Sequence, residues 1–440
     1  MRAPICSALA LLAMLLPVSA REPIVTEPWI PEGLSLSLDG NLSPEAGADD
    51  LLALRYTLGR VEDRLIKPRW WPESRFWPHF GGFGYRLGRM VWLDLPLSYM
   101  TTVLQHEYFG HGFRGREEGF STIRYEFGLP PPFAGGGGST SFQGPLARPN
   151  TWDWSTLVNM GGEEAEGVEA DRLRALWVQS GSVDARGALG YLLLRNSLRH
   201  YLAVSDEAKL DEPDPDYSND MLSYVYDVNT KQTGRVGNRP LGISRIEEQY
   251  NWSLIDPFLW YSVWGIAVTH LWEGQSFFRY PAVPLGPVRY LPAVGYGLGP
   301  WGPEYRVENL LGWDGRGLDL AYRFGDDTFR RSWGWDVQSI GMARAAGCIF
   351  DMDAHFWQQP RLRLDTVGTT RGQPRKAGFA GAVSVLSPML PVRWPLRLSG
   401  GAGWKTAGWV RGKELGEGAY WRIGLAWTPG RPVAVGDSTL

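Results

Sequence analysis

Residues 318–324 read LDLAYRF. Side chains of an extended strand point alternately to opposite faces, so Leu318, Leu320, Tyr322 and Phe324 share one face while Asp319, Ala321 and Arg323 share the other. One face is apolar and the other small or charged. The same alternation returns in WRIGLAW (Trp421 to Trp427), LRLSGGAGW (Leu396 to Trp404), GFAGAVSV (Gly378 to Val385), RLRLD (Arg361 to Asp365) and EYRVENLL (Glu304 to Leu311). Towards the N-terminus LSLSLDGNL (Leu34 to Leu42), LLALRYTLG (Leu51 to Gly59) and GFGYRLG (Gly82 to Gly88) follow it too, and turn-like clusters separate the runs. The pattern predicts roughly ten to twelve antiparallel strands.

Two architectures suit such strands: a soluble sandwich with one wet face, or a transmembrane barrel with lipid outside and polar side chains inside. The 22 Trp and 55 Gly, the 13% aromatic content, the tryptophans near strand ends and the alternating aromatic segment close to the C-terminus favour the barrel. Residues 1–20, MRAPICSALALLAMLLPVSA, have a charged start, an apolar run and small residues at Ser19 and Ala20, the layout of a cleaved export signal. The expectation is therefore an α+β chain at the bacterial outer membrane. Its segments are a signal at 1–20, strands at 21–93, a mostly helical region at 94–280, and strands at 281–440 that complete an antiparallel β-barrel. A soluble periplasmic location is the alternative.

A net charge of -3 with no basic block excludes a nucleic-acid partner. Cys6 leaves with the signal, so Cys348 stands alone and reads as a small apolar filler. The glycine-rich run PPPFAGGGGSTS (Pro130 to Ser141) lacks the Gly-Lys-Ser/Thr of a phosphate loop and reads as a mobile loop, a candidate lid. DEPDPDYSND (Asp211 to Asp220) is a polar connector.

Helical spacing dominates the middle of the chain, apart from a strand expected at STIRYEF (Ser121 to Phe127). Gly187 to Val204 has helical apolar spacing, and the run from Pro257 to Trp272 opens with Asp256 as N-cap and Pro257 at the first helical position. It is shorter than the ~20 residues a spanning helix needs. An apolar helix over Leu97 to Gln105 leads into HEYFGH, residues 106–111. The usual metallopeptidase motif places two histidines four apart with a Glu base between them. Here His106 and His111 are five apart, which on a regular helix turns them roughly 140° from one another. A local i to i+5 turn absorbs one extra residue, and Gly110 is the place where the backbone departs from ideal helix at low steric cost. His106 and His111 are then metal ligands and Glu107 the general base. A zinc site needs a third protein ligand. Glu164 offers one at the start of a helix after Gly161 and Gly162, and Asp171, on the same face, either orients a histidine or pairs at the surface with Arg172 or Arg174. The remaining histidines read as packing residues: His200 and His270 hydrogen-bonded in the core, His79 and His355 among aromatics.

HEYFGH followed about fifty residues later by a Glu-Glu pair resembles the metal site of dipeptidyl peptidase III, with its His-Glu-x-x-Gly-His and downstream Glu-Glu-x-x-x-Glu. The resemblance implies that His106 and His111 bind Zn2+, that Glu107 activates water and that Glu164 is the third ligand. It is limited to these motifs. Val168 stands where that family has its trailing Glu, leaving the third ligand open among Glu163, Glu164 and Glu166. EGVEAD (Glu166 to Asp171) is also similar to the third-ligand segment of membrane-bound CAAX-type proteases, with one residue inserted. The expected activity is a zinc metallopeptidase acting on a peptide or protein substrate at the outer membrane; the alternative is a non-enzymatic barrel for transport or structure.

Overall fold

The computed structural model describes residues 35–66, 76–144, 151–211, 219–233, 240–280, 282–325, 332–364, 374–390 and 396–427. The expected signal at 1–20, most of the 211–220 connector and the side chain of His79 lie outside the described residues. The chain is α+β, with a large antiparallel sheet and a helical region.

The first strand, β1 (Ser35–Asp39), precedes a helical stretch: α1 (Pro44–Ile66), then α2 (Phe76–Arg89) running through a π-turn at Met90–Asp94 into α3 (Leu95–His106). A second π-turn, Glu107–His111, leads into α4 (Gly112–Glu118), and a hairpin of β2 (Thr122–Phe127) and β3 (Gly138–Gln143) follows. Next come α5 (Trp152–Asn159), α6 (Gly161–Ser180), the short β4 (Val183–Asp184), α7 (Ala185–Val204), α8 (Asp220–Thr233), α9 (Ile243–Tyr250) and α10 (Pro257–Trp264). The last helix continues as a π-helix over Gly265–Trp272. Asp256 caps α10 by accepting from the Phe258 N–H. Among the described residues no helix is long and apolar enough to cross a membrane.

After β5 (Phe277–Phe278) the chain is almost entirely sheet: β6 (Val283–Leu285), β7 (Val288–Gly299), β8 (Gly302–Trp313), β9 (Arg316–Gly325), β10 (Trp333–Ile340), β11 (Ala343–Ala345), β12 (Cys348–Pro360), β13 (Arg375–Leu386), β14 (Leu396–Lys405) and β15 (Gly418–Trp427). Eleven strands pair in the order β1-β15-β14-β13-β12-β10-β9-β8-β7-β6, with β11 on β12. The N-terminal strand thus lies against the C-terminal one, Leu36 opposite Leu425 and Leu38 opposite Ile423. From β1 to β6 the described path does not return on itself.

Alternation gives this sheet two unlike faces. On one, register pairs such as Leu398–Leu425, Phe356–Phe379 and Phe324–Trp333 put large apolar side chains in the open. The other is buried and charged: Arg323 meets Glu304 and Asp336 at 3.3 Å, Arg306 meets Asp171 of α6 at 2.9 Å, and Arg174 of α6 pairs with Glu308. Helix α6 crosses this inner face against β7, β8, β9 and β10. Charges so far from water require partners, which explains why strand and helix exchange ion pairs here.

Several expectations need correction. Leu51 to Gly59 and Gly82 to Gly88 are helical, so the 21–93 segment holds one described strand, β1. Ser43 accepts from the Ala46 N–H and Pro44 occupies the first turn, start signals that outweigh a short alternating run. Leu51, Leu52 and Arg55 are buried while Leu54 and Leu58 are exposed, a period of 3.6 and not 2. RLRLD is not a strand over its described residues, because β12 ends at Pro360. His200 is exposed, and His355 is no aromatic packing residue. Its Nδ1 lies 2.8 Å from Asp336 and its Nε2 3.1 Å from Asp353, which Lys413 meets at 2.7 Å. His270 is buried and bonded to the Gln275 carbonyl at 3.0 Å, as its apolar helix suggested.

Candidate metal centre

Helix α3 ends in the wide turn that the histidine spacing demands. The Gly112 N–H donates to the Glu107 carbonyl, five residues back. This widening keeps both histidines on one side: their rings lie 4.8 Å apart. Gly110 serves the packing as much as the turn, since a Cβ there would sit 2.6 Å from the Gly161 carbonyl of α6. A Cβ on Gly162 would run into the His106 ring. The two glycines ahead of the Glu pair therefore let α6 approach the metal motif at backbone distance.

Partners orient both rings. His106 Nδ1 lies 3.0 Å from Glu166 Oε1, and His111 Nδ1 lies 2.6 Å from the Val158 carbonyl oxygen. A carbonyl only accepts, so a singly protonated His111 carries its proton on Nδ1; the Glu166 carboxylate favours the same tautomer for His106, and each Nε2 then offers a lone pair once its ring gives up the second proton. Those two Nε2 atoms face each other at 3.0 Å, and Asp220 Oδ2 is 3.2 Å from the first and 3.1 Å from the second. Three acceptors converge on one point. Tetrahedral zinc with bonds near 2.0–2.1 Å holds its ligand atoms about 3.3 Å apart, so the triangle has the size of one face of such a site. A proton between any pair would satisfy two acceptors; one divalent cation satisfies all three. Burial would lower the His106 pKa, but Tyr201, Glu166 and Asp220 raise it well above the ordinary value, and Asp220 raises that of His111. The pocket draws positive charge.

Asp220 begins α8 and its side chain is 29% exposed, so the triangle is open on that side. The Tyr201 hydroxyl of α7 lies 3.2 Å from His106 Nε2, its ring stacked on the imidazole. Glu107, next to His106 in the chain, is buried, and Thr140 of β3 donates to its carboxylate at 2.6 Å and contacts its carbonyl at 3.2 Å.

Of the four residues expected at the centre, His106 and His111 meet there, with Glu107 between them in the same π-turn and its carboxylate on Thr140; Glu164 is not there. Arg114 grips Glu164 through Nε and Nη2, and the Gly412 N–H adds a bond of 2.8 Å, so its oxygens serve a buried ion pair. One residue along the helix, Glu163 accepts from Ser197 and lies with Glu166 near His106, and Glu166 is the residue that orients that ring. Asp171, partly buried, pairs with Arg174 as one of its two expected partners and also with Arg306 and Arg411, and it is not beside a histidine. Asp220 escaped the sequence because it sits at the end of an acidic connector. The signal was present in its position, an acidic residue directly before the helical run MLSYVYDV. Tyr201 and Thr140 carry no motif.

The comparisons add no relatives: no protein-family model, curated protein or solved structure matches this chain.

Proposed function

We propose that this protein is a zinc-dependent hydrolase of peptide bonds, seated in the outer membrane with the sheet wrapped around its polar face. The observation that carries the reading is the meeting of two histidine lone pairs and one carboxylate oxygen within 3.0–3.2 Å. His106, His111 and Asp220 would hold the metal, with Asp220 in place of Glu164 as the third ligand. Bound there, zinc would supply a Lewis acid for a carbonyl and a water acidified to a pKa of about 7. Glu107 accepts the water proton and returns it to the leaving amine. Thr140 keeps that carboxylate in place, and Tyr201 offers its O–H to the oxygen on which negative charge develops. The membrane seat rests on the sheet, where charge is buried and large apolar side chains are exposed, the arrangement of a lipid-facing strand surface.

The test is the zinc content of the purified protein beside His111→Ala, Asp220→Asn and Glu107→Gln. We expect one zinc per chain in the wild type, retained in Glu107→Gln with loss of proteolysis by about 10²- to 10⁴-fold, and lost in the other two. Stoichiometric zinc in both ligand variants would sink the site.

A further inference from the structure

A second apolar surface lies at the N-terminal end of α3, the helix that ends at His106. In α2 and the π-turn after it, Tyr85, Leu87, Trp92 and Leu93 are exposed, whereas the charged residues turn inward. Arg86 donates to the Leu271 carbonyl at 3.1 and 2.7 Å, and Asp94 is buried against Arg89 and Arg186. Phe80 and Phe83 pack on Trp272 of the last π-helix, with Phe80, Trp264 and Trp272 also exposed. Helices that hide arginine and present tryptophan invert the polarity of a water-facing surface. The sheet shows the same inversion, so both surfaces suit one apolar solvent.

This surface connects to the base. The segment from Phe133 to Thr140 runs parallel to α3, in the same chain direction: Phe133 contacts Trp92 with ring centroids 5.9 Å apart, and a Cβ on Gly136 would lie 2.5 Å from Tyr99. A Cβ on Gly138 would lie 2.7 Å from both Val103 and Glu107, and Thr140 bonds the Glu107 carboxylate. Tyr99, Val103 and Glu107 are four residues apart and share one helix face. The glycines let the segment lie flat on that face. At its far end Leu129 is 68% exposed, Phe133 56% and Trp92 60%, with no charged side chain among the three.

We infer that the α2 surface and the 129–133 loop tip sit in phospholipid acyl chains, and that the substrate comes from there: an amphiphilic polypeptide whose apolar part stays in the bilayer while its scissile carbonyl reaches the histidine–aspartate triangle. The inference rests on the hydrolase reading for its substrate and is independent of it for its surface.

For the surface, Leu129→Cys in a chain with Cys6 and Cys348 changed to Ser is labelled with bimane and reconstituted in phosphatidylethanolamine–phosphatidylglycerol vesicles. Quenching by doxyl-labelled lipid should exceed quenching by iodide at least fivefold; parity or the reverse order overturns the placement. For the substrate, a casein peptide mixture is compared before and after N-palmitoylation in the same vesicles, with a gain of at least tenfold in kcat/KM expected. A ratio near one overturns the substrate class with the hydrolase reading intact. No turnover of either mixture by the zinc-bound protein overturns both.

Discussion

Gly162 and Glu164 stand two positions apart on α6 and act on different parts of the site. Gly162 makes room: any Cβ would displace the His106 ring, whose Nε2 must meet His111 and Asp220 within 3.2 Å. Gly162→Ala is expected to weaken zinc binding by on the order of 10–100-fold, the scale of losing a ligand's orientation, which competition with a chromogenic chelator measures. Unchanged affinity would show that the glycine is not needed for the approach. Glu164 closes a buried pair with Arg114 and holds Gly412. Glu164→Gln should therefore keep its zinc and lose roughly 3–5 kcal/mol of stability, because Arg114 remains buried with less compensation. Zinc loss at unchanged stability would restore Glu164 as a ligand. Sequence spacing could not separate these neighbours, because one helix turn puts adjacent glutamates on different sides and only the packing says which side holds the histidines.

Elements carry the site through irregularities. The π-turn of Glu107–His111 was legible in the five-residue histidine spacing, since a regular helix cannot bring both rings together. Helix α8 was less legible, yet it brings Asp220 to the two histidines and, two turns on, buries Asp227. Burial raises the Asp227 pKa to about 7, against the opposing bonds from Ser155 and Asn159 and the charge of Lys231. A carboxyl near 4 in the unfolded chain and near 7 in the folded one binds more protons when folded across that window. Its contribution to stability thus falls as pH rises from about 4 to about 7 and is flat above, with a slope of at most ~1.4 kcal/mol per pH unit. Thermal unfolding at pH 5 and pH 8 should show a smaller drop in Asp227→Asn than in the wild type, because the amide can still accept from Asn159 and never ionises. Equal drops would place the titration elsewhere.

At the scale of the whole molecule, polarity is inside out along the sheet: Arg323, Asp336 and His355 are buried and Trp335, Phe356 and Ile423 exposed. The protein is expected to sediment with membranes and to need detergent for extraction; recovery in the soluble periplasmic fraction would end the membrane proposal. Local sequence alone determined several strands of the C-terminal half, because a two-residue period survives in LDLAYRF and WRIGLAW whatever packs against them, although it misplaced RLRLD and did not mark Val288–Gly299, Trp333–Ile340 or Cys348–Pro360. It also determined the pairing of the two histidines, because His106 and His111 lie within six residues of backbone. Short runs such as LLALRYTLG satisfy two periods at once, and only the face that α1 buries decided between them. Only the tertiary structure set β1 beside β15, drew Asp220 from 109 positions away to His111 and turned Glu164 to Arg114. Such choices depend on which surfaces exclude water together, and a linear pattern does not record distances between segments far apart in the chain.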